Sequence, residues 1–185
     1  MSSRIVVSAG EKLILPLLWT GGGAAMNYDI TLAEPGASVR IVGLMIGRND
    51  SAANCNIVVN HAAPQTTSEV TIKTALSGNS SAEITGLVKV QPGAKGSKAW
   101  FAANILLSDK ATGQAVPSLE ILENDVSVGH AATVGRISND EVFYLMSRGL
   151  SREAATKLII SGFLQDIIDK LPPELALRAQ KELDS

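Results

Sequence analysis

The chain has 185 residues, with 16 lysines and arginines against 18 aspartates and glutamates, for a formal net charge of −2. That balance excludes the basic footprint of a nucleic-acid binder, and no apolar stretch approaches the ~20 residues of a membrane span. Hydrophobic residues make up 45% of the chain but aromatics only 4%, with 16 glycines, which suits a narrow, layered interior such as a β-solenoid. One cysteine, Cys55, excludes an intrachain disulfide and fits a reducing cytoplasm.

In chain order, residues 4–9 (RIVVSA) predict a first strand and Gly10-Glu11 a turn. LILPLLW, from Leu13 to Trp19, imitates the apolar core of a signal peptide, but it is short, interrupted by Pro16 and preceded by Glu11. It therefore predicts a buried strand. Thr20 to Ala25 is a glycine-rich break. Short strands follow at roughly 27–33, 38–46, 55–60, 68–76, 82–90, 99–107 and 117–128, bounded by turn residues as at EPGAS, SGNSS and QPGAKGS. No connection is long enough for a crossover helix, which excludes βαβ architecture. Ser38-x-x-Ile41-x-Gly43-Leu44 returns 43 residues later as Ser81-x-x-Ile84-x-Gly86-Leu87. Such an echo predicts two β-helix coils of about 20 residues each.

The stretch Pro117 to Arg136 alternates through Leu119 and Ile121, turns at Glu123-Asn124-Asp125 and returns through Val126 and Val128 to His130. Small residues follow, and then the periodicity becomes helical. The stretch reads as the joint between a β body, residues 1–137, and a helical tail, residues 138–185. In the tail, Ser138 and Glu141 have capping-box spacing, with Ser138 expected to accept from the Glu141 amide. A first helix carries Val142, Phe143, Leu145 and Met146 and ends near Gly149. Ser151 caps a second, with Ala155, Leu158, Ile159, Phe163 and Ile167 at helical spacing, and Pro173 opens a third.

No nucleophile–base–acid set is recognisable. There is no C-x-x-C, no H-E-x-x-H and no phosphate loop, since Gly21 to Gly23 lacks the following lysine. The two histidines, His61 and His130, and Cys55 allow a Cys/His dyad to be written, but nothing in the sequence places them together. His130, between Gly129 and Ala131, has room to bind a metal or move a proton, and equally suits a histidine hydrogen-bonded at a sheet end.

PSLEI…NDV…HAATVGRI, followed by FYL-x-SRG-x-S, resembles the C-terminal signature of the SufB/SufD family, scaffold components of iron–sulfur cluster assembly. The resemblance runs upstream through HAAPQTTSEVTIK, GLVKV and NILLSDK and downstream to LPPELALRAQKEL, covering roughly residues 40–185. It implies a mainly β fold: a short right-handed parallel β-helix followed by about three C-terminal helices. The chain is short for this family, which implies a minimal member without the family's N-terminal helical region. By the same resemblance His130 is a candidate cluster ligand, in the SufD manner, whereas the SufB cysteine position falls at or near Ala102. Cys55 and His61 are weaker candidates, and Glu120 and Asp125 are candidates to orient His130. A transient cluster shared with a partner chain is expected, with no nucleotide bound by this chain. A SufC-like ATPase is expected on the tail between Phe143 and Phe163, around Arg148 and Gly149. A second SufB/SufD-type chain, or a copy of this one, is expected to pair through the β body. The protein would then be a cytoplasmic scaffold and not an enzyme. The alternative is an adaptor homo-oligomer of the same fold that has lost cluster binding, which the missing cysteine favours. A carbohydrate-active β-helix enzyme fits less well, because aromatics are few and no acidic ladder repeats.

Overall fold

The computed structural model describes residues 2–184, as ten strands followed by three helices. The strands are β1 (Ser2–Val7), β2 (Lys12–Trp19), β3 (Gly23–Leu32), β4 (Ser38–Gly47), β5 (Ala52–His61), β6 (Thr67–Leu76), β7 (Ser81–Val90), β8 (Lys98–Leu107), β9 (Thr112–Ile121) and β10 (Ser127–Arg136). The helices are α1 (Asn139–Ser147), α2 (Arg152–Ile168) and α3 (Pro173–Asp184). Odd-numbered strands form one five-stranded sheet and even-numbered strands the other. Every pairing is parallel. Two strands thus make one coil, and five coils stack into the expected parallel solenoid. LILPLLW lies within β2, and β10 continues through the small residues to Arg136, past the end expected near 128.

The coil is longer than the 43-residue echo implies. Asn27 stands opposite Asn56 and Asn56 opposite Thr85, a period of 29 residues. Ser38 opens an even strand and Ser81 an odd one, so the two halves of the echo lie three half-coils apart and never stack. What recurs is the half-coil: a strand with alternate apolar residues, then a corner. Val7, Ile30, Leu32, Ile41, Ile57, Val59, Val70, Ile72, Ile84, Val88 and Phe101 fill the interior. Phe101 fits because Gly86 faces it; a Cβ there would overlap the ring. The corners need left-handed backbone, supplied by Asn49, Gly78 and Asp109 in one column, with φ of 54°, 68° and 51°.

At β4 and β6 the even sheet is covered on both sides. Val39, Ile41 and Met45 of β4 face the interior, while Val42, Leu44 and Ile46 pack with Ala75 of β6 against Leu164, Ile167, Ile168 and Leu171 of the tail and Ala179 and Leu183 of α3. This explains why SVRIVGLMIG is nearly continuously apolar, as strands covered on both faces are. Lys73 of β6 ties the seam, its Nζ donating to the Phe163 carbonyl at 2.8 Å and lying 4.8 Å from that ring's centroid. It also pairs with Asp166 Oδ1 at 2.5 Å. Arg48 donates to the Glu182 carbonyl.

Helix ends follow the expected chemistry, with one shift. Ser151 accepts from the Ala154 amide at 3.1 Å, Gly149 has φ +97°, and Pro173 is the first residue of α3. Ser138 accepts from Asp140 N at 3.2 Å, one residue earlier than the capping box requires. The Gly86–Phe101 fit makes a direct prediction. Gly86→Ala should destabilise the chain by about 1–3 kcal/mol, as overpacking does, and Phe101→Leu in the same chain should recover part of the loss. Urea unfolding of the single and double variants measures this, and an unchanged Gly86→Ala midpoint refutes the packing account.

Candidate functional site

The solenoid ends at β9 and β10, each paired on one side only. Parallel register puts opposed residues on the same face, and His130 stands opposite Phe101, an interior residue. His130 therefore turns to the interior side of the last coil, where no further coil covers it, and it is exposed. Around this mouth stand half-buried Ala115, Leu119, Val126 and Val128. His130 makes no side-chain hydrogen bond or ion pair among the described residues. Glu120 lies on the outer face, paired with Lys89 at 3.1 Å, and Asp125 uses its carbonyl to accept from Gly96 N at 2.7 Å. Neither orients His130 as expected. Ala102, opposite Ala131 and between interior Phe101 and Ala103, faces the outer side of the sheet, away from His130.

The backbone at this end is as informative as the side chains. Ser127 N donates to Ser97 O and Ile137 N to Leu107 O, so odd residues of β10 bond β8. Val128, His130, Ala132 and Val134 accordingly turn their N–H and C=O groups to the open edge. The same reasoning places Pro117 of β9 and Pro16 of β2 with their missing N–H on open edges, because Thr112 N bonds Ser80 O and Ser38 N bonds Glu11 O. Two of the four edges thus carry proline, while β10 is an unblocked ten-residue edge. Arg136 closes its far end, donating to Asp109 O at 2.8 Å and Ala111 O at 2.9 Å. The sequence reading missed both the edge and Arg136; the small residues 131–135 lacked the apolar alternation that marks a strand.

His61 and Cys55 lie elsewhere, inside the odd sheet. His61 is fully buried on β5, with Nδ1 2.8 Å from Thr66 Oγ1 and Nε2 2.8 Å from Ser68 Oγ. Thr66 Oγ1 is 2.8 Å from Ser97 Oγ and donates to Ala63 O at 3.1 Å, so a polar cluster links successive corners. Burial pushes the imidazole down to about 4. Cys55, 1% exposed and stacked between Met26 and Ile84, has its thiol pushed up to about 11 by burial. Such a thiol is a packing group rather than a nucleophile. Neither residue can meet a ligand without opening the coil, and neither is brought to His130.

On the tail, Phe143 is 72% exposed and Tyr144 56%, beside exposed Leu158. Arg148 donates to the Tyr144 hydroxyl at 2.9 Å and lies over its ring. A 470 Å³ groove here is lined by Asp140, Glu141, Tyr144, Leu145 and Ile159. Phe143, Arg148 and Gly149 are exposed, but none of them lines this groove. Phe163 is half-buried in the Lys73 seam, on the side facing the solenoid. No helix among the described residues is long and apolar enough to cross a membrane.

A two-sheet parallel solenoid with a helical tail fixes the fold but not the role, and comparison with known proteins gives the family. Residues 4–163 match the family described as SUF system FeS cluster assembly, SufBD core domain. The chain belongs to that family. It is 31% identical over 178 residues to an iron–sulfur cluster assembly SufBD family protein of Mycobacterium tuberculosis, covering 95% of this chain and 20% of the relative. It is 35% identical over 132 residues to the iron–sulfur cluster assembly protein SufD of Bacillus subtilis, covering 71% and 30%. Similarity to the SufB of the same organism is 34% over 163 residues, covering 87% and 35%. The chain thus spans between a fifth and about a third of these relatives' lengths.

His61 predicts a pH dependence. In the unfolded chain the imidazole charges near 6.5, whereas in the fold it stays neutral down to about 4. Its contribution is complete above pH 6.5 and falls as pH drops from 6.5 to 4, by up to about 3 kcal/mol. Denaturant unfolding of wild type and His61→Leu across that range should show the wild type losing its relative advantage toward acid. Parallel profiles would contradict the assignment.

Proposed function

We propose that this chain acts as a scaffold in iron–sulfur cluster assembly, with the nascent cluster as cargo held at the open β9–β10 end. The observation that carries the reading is His130: an exposed imidazole without a protein partner, at the uncovered mouth of the last coil, beside a strand edge ready to pair. A neutral imidazole nitrogen can replace thiolate at iron in mixed clusters. Among the described residues no group of three or more His, Cys, Asp or Glu is arranged to hold a metal ion. The remaining ligands therefore come from a partner, a second SufB/SufD-type chain or a copy of this one, paired along β10. The SufBD family membership supports this setting, as does the wish of an unblocked edge for a strand partner.

The tail is the docking surface for a SufC-like ATPase in this reading. Phe143 and Tyr144 project from α1 beside an apolar groove with an acidic rim, and aromatic anchors of this kind dominate interface energies. Nothing in the chain is assigned to catalysis, and the scaffold works in the cytoplasm, where Cys55 stays reduced. The adaptor reading, with the fold kept and cluster binding lost, draws on the alanine at position 102.

Two experiments test the proposal. Anaerobic reconstitution with iron and sulfide, with the pairing partner present, should load a cluster in wild type. His130→Ala should lose most of the visible absorption and bound iron while keeping its thermal midpoint, since the side chain is exposed; equal loading in the variant removes His130 as a ligand, and a wild type that loads no cluster favours the adaptor. Deleting the tail would strip Val42, Leu44 and Ile46 of their cover, so docking is better tested by Phe143→Asp. That variant should weaken ATPase binding at least about tenfold, the size of a modest hot spot, with the fold unchanged. Unaltered affinity places the docking surface elsewhere.

A further inference from the structure

Between the solenoid corners and the tail lies a cavity of about 660 Å³, to which neither β9 nor β10 contributes a residue. That size suits a small molecule. Its apolar wall is Ile137, Val142, Ile160 and Leu183, drawn from the joint and from all three helices. Its basic wall is Arg48 from the β4–β5 corner with Arg152 and Lys157 from α2. Arg48 donates to the Glu182 carbonyl and Lys157 Nζ to the Asp184 carbonyl at 2.6 Å, so both are held against the last turn of α3. The Arg152 guanidinium is exposed and makes no hydrogen bond or ion pair among the described residues. Two carboxylates also line the space. Asp109 is already engaged, accepting from the Gly78 amide at 3.0 Å and the Ser108 hydroxyl at 3.2 Å, and Glu153 is the other. Three basic side chains against two acidic ones leave one positive charge in excess, in a chain whose net charge is −2.

We propose that this cavity binds a small monocarboxylate with an apolar body, its carboxylate on Arg152 and Lys157 and its body on Val142 and Ile160. The inference goes beyond cluster assembly and does not depend on it. Charge selects the class: a single negative charge balances the lining, whereas a phosphate dianion overshoots it. A guanidinium meets a carboxylate through two parallel N–H···O bonds, and Arg152 has no protein partner to give up for them. The apolar wall selects against a body that is polar throughout, because such a body would lose water there without regaining hydrogen bonds. Partial enclosure between two layers also makes the ion pair stronger than one on open surface. Val142 is the buried residue of α1, whereas Phe143 and Tyr144 are exposed. The occupant therefore sits beneath the helix that carries the outward aromatics and touches solenoid and tail at once.

Amide chemical-shift mapping of the full chain, titrated with phenylacetate, tests this. Saturable shifts are expected at Ile137, Val142, Arg152 and Ile160, with half-saturation below about 1 mM, within reach of a ligand of this size. Phenethyl alcohol keeps the body without the charge, and acetate keeps only the charge. Each should bind at least about tenfold more weakly than phenylacetate. Arg152→Gln should weaken phenylacetate about tenfold, the value of one charge-assisted hydrogen bond, and leave phenethyl alcohol unchanged, while Arg152→Lys keeps part of the affinity. The side chain is exposed and unpaired, so both variants should keep the wild-type thermal midpoint. No saturable shift at these residues, or equal phenylacetate binding by Arg152→Gln, overturns the site. Acetate binding as tightly as phenylacetate overturns the apolar body, and phenethyl alcohol doing so overturns the anion. Phenyl phosphate binding more tightly than phenylacetate overturns the carboxylate.

Discussion

The constraint on which the rest depends is the backbone ladder between successive coils. Each strand must find its hydrogen-bond partners in the coil before and the coil after, because a buried peptide group without a partner is costly. Parallel pairing then stacks like on like: every side chain sits above the residue one coil earlier, as Asn56 does on Asn27 and Thr85 on Asn56. Interior columns must be filled coil by coil to a narrow width, which is why Phe101 requires a glycine at 86. Corners must turn left-handed at the same point each time. Among the described residues β9 and β10 close the stack paired on one side only, and there the fold remains chemically open.

How each end is treated follows from a small number of residues. Proline on β2 and β9 places a group that cannot donate where a strand would otherwise pair. On β10 no such block exists, and small residues keep its outer face low. The same strand turns His130 to the uncovered mouth. The open edge and the candidate ligand thus share one strand, and in the proposed assembly a partner that adds to the edge would also come to the imidazole. Polar groups that serve only the fold are treated in the opposite way: His61 is closed in, with both ring nitrogens met by hydroxyls, and is held neutral by its burial.

The tail is a second layer rather than an appendage. Its α2 and α3 bury Leu164, Ile167 and Leu183 on the outer face of β4, leaving α1 with its aromatic residues outward. The strength of that seam, apolar burial reinforced by Lys73 at Phe163 and Asp166, ties the position of any protein docked on α1 to the solenoid itself.

By itself the sequence determined the local terms: strands from alternation, corners from Gly, Asn and Pro, three helices from caps and period, and the SufB/SufD resemblance from ordered motifs. These are legible because each depends on residues within a few positions of one another. It did not determine the coil length, since a chance echo between an odd and an even strand resembled a repeat, and only pairing across the stack distinguishes them. Nor could it show that SVRIVGLMIG is apolar on both faces because a helix 120 residues later covers one of them. That His130 faces the open mouth, that Ala102 faces away, and that His61 and Cys55 are sealed in the core are matters of register and burial. Only the tertiary structure decides them, because the side a residue faces follows from its partners across the sheet, and those lie a full coil away in sequence.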